Sequence, residues 1–159
     1  MKPLRIAHAL AAASLFVAAG VAGAADTEPA PASKDKLASA RSLITEHRWA
    51  AAIDELKRIN EASSADWNNL MGYSLRKAKT PDYAAAERFY DAALRIEPQH
   101  RGALEYSGEL YLMTGNLAKA EARLAALDKA CRLPCEEYTD LKKAVERYKA
   151  NGNRYLAAP

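Results

Sequence analysis

Residues 81 to 98 read PDYAAAERFYDAALRIEP, and their reading decides the fold. Thr80-Pro81-Asp82 is a helix-start signal, and Pro98 after Glu97 forces a stop because proline lacks the N–H that a continuing helix needs. Between these marks Tyr83, Ala86, Tyr90, Ala93 and Leu94 recur at helical spacing, while Glu87, Arg88, Asp91 and Arg95 take the other side. A helix of this kind cannot bury its apolar face alone. It must pack on other helices, and its alanines permit close approach.

The partners are copies of itself. Trp49, Tyr83 and Leu117 are each 34 residues apart, as are Ala52, Ala86 and Ala120; Leu56, Tyr90 and Leu124; and Ile59, Ala93 and Leu127. Four columns in register mark the second helix of three stacked helical hairpins. The first helices align less regularly: Ala40 to Gly72 is 32 residues and Gly72 to Gly108 is 36. This predicts a turn two residues longer at Lys77 to Asp82, offset by a shorter link before the middle hairpin. The first helix of the chain is expected from about Lys34, with Leu37, Ala40, Leu43 and Ile44 on one stripe. Asp66 is the expected N-cap of the third helix. Thr114-Gly115-Asn116 closes the fifth, and a seventh carries Tyr138, Leu141, Val145 and Tyr148 on one face.

These residues resemble the tetratricopeptide repeat. Tyr83, Ala86, Tyr90, Ala93, Leu94 and Pro98 in the middle unit, with Gly108, Tyr111, Gly115, Leu117, Ala120 and Leu124 in the last, match its pattern of small and large positions. The first unit departs from it, lacking the glycines and the closing proline. The runs GALEYSGELYL and CEEYTDLKKAVERY are similar to exported repeat proteins of Gram-negative bacteria. The resemblance implies an all-α fold: a right-handed superhelical solenoid of three helical hairpins plus a C-terminal capping helix. It also implies that the first helices line a concave face that binds a protein or peptide partner. Carried over by position, that groove comprises Arg41, Asn69, Tyr73, Arg76, Glu105 and Glu109, expected as exposed residues, with Lys34 and Leu112 as further candidates. Asn69, Tyr73 and Arg76 share one helix face, an arrangement suited to clamping a peptide backbone or a carboxylate.

The domain organisation follows from composition. Lys2 and Arg5, the apolar run Ile6 to Val21 and the small residues Ala22-Gly23-Ala24 form a signal peptide over residues 1–24, the alternative being a retained membrane anchor. A Pro/Ala-rich linker follows at 25–33, then the repeat array at 34–132, the capping helix at 133–150 and a frayed tail at 151–159. Once the leader is removed, 21 Lys and Arg stand against 20 Asp and Glu, a balance that gives no electrostatic footprint for nucleic acid or an anionic membrane. Export implies a periplasmic or secreted location, where cysteines oxidise.

Cys131 and Cys135 are the most chemically suggestive pair. The expectation is a structural disulfide worth about 2 kcal/mol or less across so small a loop. Copper binding or thiol exchange and free thiols are the alternatives; a metal site would need further ligands, and neither His47 nor His100 is placed near the pair by the sequence. No phosphate loop, nucleophile elbow or metal-binding histidine pair is present, and the carboxylates alternate with Lys and Arg as surface ion pairs do. No enzyme activity and no cofactor or metal is therefore expected. The function read from the sequence is a protein-interaction module of the bacterial cell envelope. The rival readings are a redox or copper-handling accessory and a structural scaffold that binds through its edges or convex face.

Overall fold

A computed structural model describes residues 35–133 and 135–156 of the chain; the expected leader and linker lie outside them, as does Lys34. Within these residues there are seven helices and no strand: α1 Ala38–Thr45, α2 Trp49–Ile59, α3 Ala65–Lys77, α4 Tyr83–Ile96, α5 Arg101–Met113, α6 Leu117–Ala130 and α7 Glu136–Ala150. They pair as successive hairpins, α1 with α2, α3 with α4 and α5 with α6, and each hairpin packs on the next. The result is an α-solenoid of helical hairpins. The first helices also form a series of their own, α1 against α3, α3 against α5 and α5 against α7. Helix α7 thus stands where the first helix of a further hairpin would stand.

Side-chain caps set the starts of the second helices. Asp82 accepts a hydrogen bond from the Ala85 N–H, and Asn116, one repeat on, accepts from the Lys119 N–H. Arg48 holds the same register in the first hairpin and offers no cap. For α3 the cap is Ser64, whose hydroxyl accepts from Trp67 N–H, and not Asp66 as the sequence suggested. Asp66 lies inside the first turn, where a carboxylate still complements the helix dipole. At α1 the Asp35 carboxylate accepts from the Leu37 N–H, so regular helix begins later than Lys34.

The irregular spacing of the first helices has the cause expected on one side only. The turn between α3 and α4 runs from Ala78 to Asp82, two residues longer than Glu46 to Arg48 or Thr114 to Asn116. The compensation, however, falls within a helix and not in the link before the middle hairpin. Helix α2 has 11 residues where α4 and α6 each have 14, because Asn60 enters the left-handed region and ends it early.

The core runs along the array in three adjoining clusters. Ala52, Ala86 and Ala120 are completely buried, as are Leu56, Tyr90, Ala93 and Leu127. Opposite this column the first helices supply glycine. A Cβ on Gly72 would lie 2.8 Å from the Tyr90 ring and 3.1 Å from the Ala86 carbonyl oxygen, so only glycine lets α3 sit this close to α4. On Gly108 it would lie 2.5 Å from Leu141 of α7. Trp67 stitches the first two hairpins together: its indole N–H donates to the Leu56 carbonyl at 2.7 Å, and its ring meets Phe89 edge-on. Helix α7 buries Leu141, Ala144, Val145 and Tyr148 against α5 and α6. Cys131 and Cys135 form a disulfide between the C-cap of α6 and the N-cap of α7, their Cα atoms 5.9 Å apart.

Candidate functional site

Three first-position helices, α3, α5 and α7, enclose a pocket of about 390 Å³. Helix periodicity explains what lines it. Tyr73, Arg76 and Lys77 share the inner face of α3; Glu105, Tyr106 and Glu109 that of α5; Glu136, Glu137 and Asp140 that of α7. Within each set two adjacent residues lie about one turn from the third, so each helix presents a single stripe. Five carboxylates face two cations.

Arg76 anchors the floor. Its Nη1–H donates to Glu109 Oε2 at 2.7 Å, and its guanidinium carbon lies 5.4 Å and 5.6 Å from the ring centroids of Tyr73 and Tyr106. Those two rings are themselves 4.5 Å apart, and Trp49 of α2 meets Tyr73 edge-on. An aromatic row therefore crosses three hairpins. Only 4% of Arg76 is exposed, which the ion pair and the aromatic faces make tolerable for a charged group.

The electrostatics are dominated by crowding of like charge. Burial, together with the neighbouring carboxylates of Glu109, Asp140 and Glu137, pushes Glu105 up to about 8. Burial likewise pushes the Tyr73 and Tyr106 hydroxyls up, with Glu105 adding to the effect on Tyr106. Among the described residues, no three His, Cys, Asp or Glu side chains are grouped to hold a metal ion.

Of the residues expected in a groove, the structure brings together Tyr73, Arg76, Glu105 and Glu109. Exposure requires correction at three positions, Arg76, Asn69 and the further candidate Leu112. Arg76 is buried for the reasons just given. Asn69 is 7% exposed and packs over Gly102, whose missing side chain leaves the space its amide occupies. Arg41 is exposed but lies apart from the pocket, paired with Asp66 at 2.8 Å. Leu112 is a core residue, 1% exposed. Tyr106, Glu136, Glu137 and Asp140 were missed. The signal for Tyr106 was its place beside Glu105 on α5; those on α7 were hidden because that helix read as a charged cap.

A second polar row lies beside this pocket. His100 Nδ1 accepts from Ala103 N–H as the cap of α5, which leaves the proton on Nε2 to donate to Asp66 Oδ1 at 2.9 Å. Asp66 in turn accepts from Arg41, so one chain of contacts joins α1, α3 and the start of α5.

Comparison with known proteins adds two findings. The family described as tetratricopeptide repeat matches residues 79–150, from the turn before α4 to the end of α7. The chain is also 31% identical over 112 residues to the BBSome complex member BBS4 of Bos taurus, a match covering 67% of this chain. It spans about a fifth (20%) of that relative's length.

Proposed function

We propose, from the premise that the hairpins are tetratricopeptide repeats, that the protein is a non-catalytic interaction module holding a segment of another protein in the pocket between α3, α5 and α7. Repeats of this kind generally mediate protein–protein interaction, and the relative is by its name a member of a complex. The observation that carries the reading is the pocket itself: half-buried Tyr73 and Tyr106 stand over a fixed Arg76–Glu109 pair, on the face formed by successive first helices. Aromatic rings on a rigid surface lose little conformational freedom on binding and make good contact anchors.

The setting we propose is the cell envelope, reached through a leader at residues 1–24 that is removed on export. Its support is the Lys2/Arg5 start followed by an apolar run and small residues, together with a disulfide at Cys131–Cys135 that suits an oxidising compartment.

A photo-crosslinking amino acid placed at Lys77, on the rim of the pocket, tests the groove against one placed at Asp54, exposed on α2. The same partner cross-linking at Lys77 and not at Asp54 supports the reading. Cross-linking at Asp54 alone would move recognition to the other face and favour the scaffold alternative.

A further inference from the structure

We propose that the pocket selects a basic partner segment, seating one lysine or arginine side chain among Glu105, Glu137 and Asp140 while Arg76 donates to a carbonyl of the same segment. This rests on the groove reading above and gives the partner's chemistry.

Charge complementarity comes first. Arg76 is spent on Glu109 and Glu105 holds its proton up to about pH 8, so within the lining Lys77 alone offsets the charges of Glu136, Glu137 and Asp140. Glu137 and Asp140 have only longer contacts, 3.7 Å to Arg101 and 3.6 Å to Lys143, and stay available to a cation. Burial first, and then the carboxylates around it, raise Glu105; an entering cation relieves the repulsive part and an acidic segment deepens it.

The second observation is independent of the acidic residues. The Arg76 side chain is 3% exposed and lines the pocket, yet its Nε–H has no hydrogen-bond partner among the described residues. A buried donor without an acceptor is costly, the neighbouring Tyr90 hydroxyl is equally unpaired among the described residues, and a shift of the covered Arg76 side chain toward the pocket would let a peptide carbonyl satisfy its Nε–H. A bare metal ion supplies no such acceptor, and no ligand set for one is assembled among the described residues. A basic peptide supplies both halves, cation and carbonyl. The phenol rings of Tyr73 and Tyr106 border the same space and suit the aliphatic stem of lysine or arginine.

The test uses short blocked alanine–serine peptides that differ only in carrying lysine, glutamine or glutamate, titrated into the isotopically labelled protein. The lysine peptide is expected to shift the backbone amides of Tyr73, Glu105 and Asp140. It should bind about tenfold more weakly to a Glu137→Gln/Asp140→Asn variant, as loss of two partly exposed charge contacts implies. Circular dichroism checks that the variant folds, and the comparison among peptides on the unaltered protein needs no variant. Equal or stronger shifts with the glutamate or glutamine peptide would overturn the basic-segment proposal and leave the groove reading standing. No shift at those amides with any peptide also overturns it, and the Lys77 cross-link then judges the groove separately.

Discussion

Arg76 Nη1 and Glu109 Oε2 lie 2.7 Å apart across the boundary between the second and third hairpins, with the guanidinium almost wholly shielded from water. The pair is a bolt between α3 and α5. Removing one partner strands the other charge in a low-dielectric site. Glu109→Ala is therefore expected to cost roughly 2–4 kcal/mol, somewhat less than a fully buried pair because Glu109 keeps some contact with solvent. An Arg76→Met/Glu109→Met double variant should recover much of that loss. Urea denaturation of the three proteins measures both; a double variant no better than the single one would contradict the account.

Glu105 gives stability an unusual pH dependence. Its folded-state value of about 8 lies above the ordinary 4.5, so between these values the folded protein binds a proton that the unfolded chain has released. Stability contributed by this group is full below about pH 4.5 and is lost as pH rises toward 8. Thermal melts of Glu105→Gln and wild type across this range should diverge, the wild type losing stability relative to the variant as pH increases. Parallel curves would remove Glu105 as the source.

Two effects compete at Gly72. Alanine is the better helix former by about 1 kcal/mol, but its Cβ would meet a Tyr90 ring that is fully buried and has nowhere to go. Overpacking of this kind costs about 1–3 kcal/mol, so Gly72→Ala should be destabilising overall, with Ala86→Leu on the facing helix at least as damaging. Chemical denaturation of both variants decides it; a stabilised Gly72→Ala would mean α3 and α4 are not in this contact.

Reducing the disulfide, or changing Cys131 and Cys135 to alanine, should lower stability by about 2 kcal/mol at most, since the bridged residues are only four apart in sequence. Helix content should change little, because α7 is held mainly by Leu141, Val145 and Tyr148. Far-ultraviolet circular dichroism with and without reductant is the measurement. Loss of the whole helical signal on reduction would show the bridge to be indispensable.

His47 takes a positive φ of 57° in the turn between α1 and α2, where Gly115, at the same register two repeats on, takes 80°. A side chain in this region strains the backbone by about 1–2 kcal/mol, offset in part by the entropy a glycine loses on folding. His47→Gly should accordingly raise stability by roughly 0.5–1 kcal/mol, read from the shift in urea midpoint. A lowered midpoint would mean that the edge-on contact of His47 with Trp49 matters more than the strain.

The second helices were legible because their signal is a spacing. Trp49, Tyr83 and Leu117 announce one another whatever their surroundings. The pocket was half legible. Tyr73, Glu105 and Glu109 fall on the expected face, but the burial of Arg76 and Asn69 depends on Tyr106, Glu109 and Gly102 from the neighbouring hairpin. A local pattern of polar residues carries no trace of such neighbours and reads as exposed. Helix α7 was recognised by its apolar stripe, yet Glu137 and Asp140 looked like ordinary surface charge because their direction is known only once α7 is laid against α5. The early end of α2 hung on Asn60 turning left-handed, a choice that a short polar run leaves open.

The missing cap at Arg48, the strained His47 and an α1 of only eight residues all fall in one hairpin, while the bridge and the α7 packing fall at the other extremity. In a stack whose members touch only their neighbours, this makes the molecule directional: it has a soft end and a hard end. Opening should travel one way, from α1 inward, with amide hydrogens of α2 exchanging before those of α5. Tyr73, two helices in from the soft end, would be uncovered from its Trp49 side by the first such opening, well before the α5–α7 wall of the pocket gives way.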